Sequence, residues 1–67
     1  MKHTYFAWAV TYEGRPEWNI RLAGTERECW NLALMRFNVK RRQALVRRGI
    51  GIVRVRVTVV VDSNSAY

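Results

Sequence analysis

The chain has 67 residues, 49% of them hydrophobic, with 12 Lys and Arg against 5 Asp and Glu and a net charge of +7. That length suits one domain with a small core, and the apolar content excludes a disordered basic tail. The single cysteine, Cys29, excludes a disulfide framework or cysteine-rich zinc site, and the apolar run Phe6-Ala7-Trp8-Ala9-Val10 is far short of the roughly 20 residues that cross a bilayer.

Residues 4–12 alternate, with Phe6, Trp8, Val10 and Tyr12 opposite Tyr5, Ala7, Ala9 and Thr11, which predicts a strand. Glu13-Gly14-Arg15-Pro16-Glu17 carries turn residues, and residues 18–23 alternate again, so a second antiparallel strand is expected there. Gly24 ends it. Thr25-Glu26-Arg27-Glu28 is a capping box: the Thr hydroxyl accepts from the N–H three residues on, and the glutamate reaches back. The helix that follows carries an apolar stripe of Cys29, Trp30, Ala33, Leu34 and Phe37.

Continuing that stripe demands core residues at 40, 41, 44 and 48, where the sequence has Lys40, Arg41, Ala44 and Arg48. The helix must therefore break near residue 38, with a second short helix over 39–48 anchored by Val39, Leu45 and Val46, or project beyond the sheet. Gly49 suits a helix C-terminus. Residues 50–61 give the strongest strand pattern, with Val53, Val55, Val57, Val59 and Val61 opposite Ile52, Arg54, Arg56, Thr58 and Val60. A polar tail, 63–67, follows a single domain at 1–62.

The expected fold class is α+β: a two-layer sandwich of a three-stranded antiparallel sheet, ordered 2-1-3, under one helix, either continuous or broken near residue 38 into two. Its expected core is Phe6, Trp8, Val10, Trp18, Ile20 and Leu22 with the helix stripe and Val53, Val55, Val57 and Val59. The uncovered sheet face is expected to show Tyr5, Ala7, Thr11, Asn19, Arg21, Arg54, Arg56 and Thr58.

Catalytic chemistry finds little support. The one histidine, His3, sits near the N-terminus, and Cys29 lies on the apolar stripe with no base beside it in the sequence. No residues have metal-ligand spacing, and Gly49-Ile50-Gly51 precedes a strand, unlike a phosphate loop. No enzyme, cofactor or metal is expected. Charge is the informative feature. Residues 1–35 are neutral, so the whole +7 resides in 36–67, where eight cations and no acid occupy 36–56. Ten of the twelve cations are Arg, which binds phosphate bidentately and stacks on bases. The candidate nucleic-acid-binding residues are Lys40, Arg41, Arg42, Arg47, Arg48, Arg54, Arg56 and Arg21. A solvated face or a cationic protein-docking surface is the alternative.

Three segments, Tyr5-Phe6-Ala7-Trp8-Ala9-Val10, Thr25-Glu26-Arg27-Glu28-Cys29-Trp30 and Arg47-Arg48-Gly49 leading to Val53-Arg54-Val55, resemble small basic proteins encoded by bacteriophages and prophages, with a strand-strand-helix-strand pattern. The resemblance covers most of the chain and rests on pattern, without a signature motif. It implies a stoichiometric binder of nucleic acid, DNA or RNA, or of an acidic host protein that handles nucleic acid, acting as inhibitor or modulator. No signal-peptide pattern is present, so a cytoplasmic setting is expected, with no membrane partner. The long valine-rich edge at 52–61 also invites a homodimer through strand pairing.

Overall fold

The computed structural model describes residues 2–60, so the expected tail at 63–67, with Val61 and Asp62, lies outside the described residues. Its elements are β1 (Lys2–Tyr12), β2 (Arg15–Pro16), α1 (Glu26–Arg36), α2 (Arg42–Arg47) and β3 (Ile50–Val60). The sheet is antiparallel in the order β2-β1-β3, as the topology argument expected.

Glu13 and Gly14 join β1 to β2, both at positive φ (51° and 81°), in a two-residue turn whose twist matches the strands it connects. The second strand is shorter than its alternation implied. It pairs only over Thr11↔Pro16 and Tyr12↔Arg15. The chain then turns at residues 18–20, where the Ile20 N–H donates to the Glu17 carbonyl (3.1 Å), and returns for a single bridge, Trp8↔Ala23. Ile20 turns into the core while Trp18 is 68% exposed, so Trp18 is no core residue. Hairpin closure at Glu13-Gly14, earlier than the sequence pattern suggested, consumes Arg15 and Pro16 as the paired residues. Pro16 has no N–H with which to extend the ladder.

The Thr25 hydroxyl accepts from the Glu28 N–H (3.1 Å), and the Glu28 carboxylate accepts from the Gly24 N–H (3.1 Å), one residue earlier than a standard capping box. Of the two alternatives the sequence left, the break is the one found. Asn38 adopts the left-handed conformation (φ 54°), with the Asn38 N–H donating to Met35 (3.3 Å) and the Val39 N–H to Leu34 (3.0 Å). This is a Schellman ending, with Val39 and Leu34 both packed against the core. The second helix is shorter than 39–48, and of its expected anchors Leu45 is fully buried whereas Val46 is 60% exposed. Gly49 (φ 83°) turns the chain into β3.

Directly opposed residues of an antiparallel pair share a face. The β1–β3 register includes Tyr12↔Ile50, Val10↔Ile52, Trp8↔Arg54 and Phe6↔Arg56. The core holds Val10, Ile20, Ala23, Cys29, Ala33, Leu45 and Ile50, with Trp8, Trp30, Leu32, Leu34, Phe37, Val39 and Ile52 against it. The helices therefore cover the face of β3 that bears Ile50 and Ile52. Val53, Val55, Val57 and Val59 lie on the opposite face, beside Ala9, Ala7, Tyr5 and His3. The valine ladder is not core, and Arg54, Arg56 and Thr58 are not on the uncovered face. Register decides this: the Glu13 N–H donates to the Gly49 carbonyl (2.7 Å), pinning the two turns together and turning Ile50 and Ile52 inward.

Length explains the rest. An 11-residue helix spans about 16 Å, an 11-residue strand about 37 Å. The helical layer ends near Trp8 and Arg54, and the far half of the β1–β3 hairpin projects beyond it. Phe6, at 58% exposure, is therefore surface and not core.

Candidate nucleic-acid interface

All eight candidate cations are exposed. Lys40 and Arg41 lie on the connection into α2, and Arg41 is its N-terminal flanking residue. Arg42 and Arg47 belong to α2, and Arg48 ends it. Leu45, inserted into the core, fixes the helix and so directs its arginines outward. Arg54 and Arg56 alternate along β3 on the helix side of the sheet. α2 packs against β3, so α2, the residues flanking it and β3 form one contiguous α2–β3 flank that carries these seven cations.

Arg21 does not join them. It lines a shallow depression with Asn19, Ile20, Leu32, Met35 and Arg36. At 100° per residue, Leu32 and Met35 lie on the side of α1 away from Trp30. Trp30, in contrast, lines a depression with Arg42, Gln43, Val46 and Arg47. The body of α1 thus separates Arg21 and Arg36 from the α2 arginines.

Two aromatic–arginine pairs mark the cationic flank. The Arg54 guanidinium lies over the Phe6 ring at 4.2 Å from its centroid, and Arg42 lies over Trp30 at 5.2 Å. Each exposed pair is worth about 0.5–1 kcal/mol, enough to orient the guanidinium while leaving its N–H donors free. The side-chain hydrogen bonds among the described residues run Thr4 to Thr58, Glu28 to Gly24 and Glu28 to Thr25, and no arginine takes part in them. Glu13, beside Gly49 at the turn into β3, is the acid that borders this surface.

Sequence reasoning missed both aromatic partners as surface groups. Alternation placed Phe6 with Trp8 and Val10, correctly, on one face. The missing step was the comparison of strand and helix lengths, which leaves Phe6 uncovered. Trp30 sits on the edge of the α1 stripe, half-buried, with one part of its ring accessible beside Arg42.

Other chemistry is sparse here. Cys29 is fully buried, and that burial pushes its thiol pKa up, away from the nucleophilic thiolate. Among the described residues no three His, Cys, Asp or Glu side chains come together as a metal site. No helix among them is long and apolar enough to cross a membrane. Comparison with family models, with curated proteins and with solved structures returned no match, so the roles of these residues rest on their own geometry and charge.

Proposed function

We propose that this chain is a non-catalytic binding protein that contacts nucleic acid through the α2–β3 flank. One observation carries the reading: seven exposed cations on that flank, two of them stacked on accessible aromatic rings, in a stretch, 36–60, that contains no acid. Clustered like charges repel, and a polyanion offsets that repulsion. Arg41, Arg42, Arg47, Arg48 and Lys40 contact phosphates. Arg54 and Arg56 extend the track along the projecting hairpin, where Phe6 offers a ring to an unstacked base, as Trp30 does beside α2. Arg21 lies outside this surface.

The test compares Arg42→Glu/Arg47→Glu with Arg21→Glu in mobility shifts against duplex DNA, single-stranded DNA and RNA. The α2 double variant loses binding by about a hundredfold or more, while Arg21→Glu falls only by the severalfold that a remote charge change produces. Equal losses for the two variants would refute a localised site. Absence of binding to all three nucleic acids at low salt would refute the function, and retention of one protein partner after nuclease treatment would place an acidic protein there instead.

A further inference from the structure

β3 ends the sheet, with β1 on one side and no described strand on the other. Along a strand, the N–H and C=O groups of successive residues point to opposite edges. The Trp8 N–H donates to the Ala23 carbonyl (2.8 Å) and the Ala23 N–H to the Trp8 carbonyl (2.9 Å), so the even-numbered residues of β1 face away from β3. Its odd-numbered residues face β3, as the bond from the Glu13 N–H to the Gly49 carbonyl continues one position further. In the β1–β3 register odd opposes odd, so Val53, Val55 and Val57 direct their backbone groups at β1. Arg54, Arg56 and Thr58 direct theirs outward. Among the described residues no hydrogen bond reaches those outward groups.

Nothing in the strand blunts this edge. Natural edges are commonly kept short, bulged or interrupted by proline. β3 runs 11 residues, pairs with β1 without a bulge and contains no proline. Its stretch 54–60 projects beyond the helical layer, and Arg54, Arg56, Thr58, Val59 and Val60 are all exposed. The strand is also two-faced: Arg54 and Arg56 lie on the helix side, the odd-numbered valines on the other.

We propose that the outer edge of β3, over 54–60, takes up an extended acidic segment of another protein as an added antiparallel strand. Main-chain hydrogen bonds to Arg54, Arg56 and Thr58 supply the affinity, and side chains supply the selection. The segment carries Asp or Glu at the two alternate positions opposite Arg54 and Arg56, and apolar residues between them, beside the valines. Charge selects this occupant over a second copy. Two-fold pairing of β3 with itself sets even-numbered residues against even-numbered ones, with the nearest arginines of the two copies about 5–8 Å apart on one face. Neither copy has an acid in 36–60 to offset them. An acidic strand turns those contacts into attractions. Strand addition rests on backbone geometry and is independent of nucleic-acid binding.

Fluorescence anisotropy of a labelled peptide of about seven residues, alternating glutamate and valine, tests this on the intact protein. The peptide binds, its lysine counterpart does not, and Arg54→Glu/Arg56→Glu abolishes binding. In antiparallel pairing the glutamate amides face β3 and the valine amides face away. N-methylating the glutamate amides therefore weakens binding by about tenfold or more, while N-methylating the valine amides leaves it unchanged. Hydrogen exchange at the Arg54, Arg56 and Thr58 amides slows when the peptide is added. Equal binding of the two methylated peptides overturns the proposal in favour of charge attraction alone, and absence of binding at millimolar peptide overturns it outright. Amides of Arg54, Arg56 and Thr58 that become protected without peptide as protein concentration rises put a second copy on this edge and overturn it too.

Discussion

Two adjacent residues of α2 should respond very unequally to truncation. Leu45 is fully buried and is the one buried residue of that six-residue helix, while Val46 is 60% exposed. Leu45→Ala removes the buried isobutyl group and leaves a cavity that α2, tethered at Asn38 and Gly49, fills incompletely. Leucine truncations of this kind cost about 2–5 kcal/mol. A chain of this length has a total stability of roughly 3–10 kcal/mol, so a loss of about 3 kcal/mol is at least about 30% of the whole. Val46→Ala should stay within about 0.5 kcal/mol. Urea unfolding followed by the fluorescence of Trp8 and Trp30, both packed against the core, gives both values. Because α2 carries Arg42 and Arg47, Leu45→Ala should also weaken nucleic-acid binding, whereas Val46→Ala should not. Equal destabilisation by the two variants, or a Leu45→Ala cost below about 0.5 kcal/mol, would refute the view that this single side chain fixes the helix.

Two further outcomes follow from the backbone and from Cys29. Glu13 holds a left-handed conformation that Asn adopts with less strain, so Glu13→Asn should stabilise by about 1 kcal/mol, raising Tm by about 4–8 °C. Glu13→Gln makes the same charge change without that preference, and equal Tm values for the two would reject the strain. Burial raises the folded pKa of Cys29, so the unfolded chain ionises first. The stabilisation is complete below the ordinary thiol value of about 9 and is lost as pH rises through the folded value. Urea titrations should show wild type losing stability above that pH more steeply than Cys29→Ala, and parallel curves would contradict the assignment.

The helical half was legible in the sequence because its signals are local. A Thr and a Glu three residues apart placed the start of α1. The failure of the apolar stripe at Lys40 and Arg41 located the break, and Gly49 marked the end of α2. The sheet was less legible because its key facts are relational. Alternation in 50–61 offers two faces, and the more uniformly apolar one, all valine, looked like core. Which face turns inward depends on the contact between the Glu13 and Gly49 turns, a long-range feature that no strand pattern encodes. The same one-residue choice moved Arg54 and Arg56 from the expected open face to the helix side of the sheet. Charge asymmetry, a property of sequence alone, marked 36–56 as cationic but not that α1 would set Arg21 apart.

In the proposed function, the α2–β3 cations act as one phosphate-binding surface. Its most direct test is the salt dependence of nucleic-acid affinity. If about six of the seven cations neutralise phosphates, log K falls with log salt at a slope of about −5 on duplex DNA and about −4 on a single strand, and Arg42→Glu/Arg47→Glu flattens it by about 2. A slope near zero, or one unchanged in that variant, would contradict the claim.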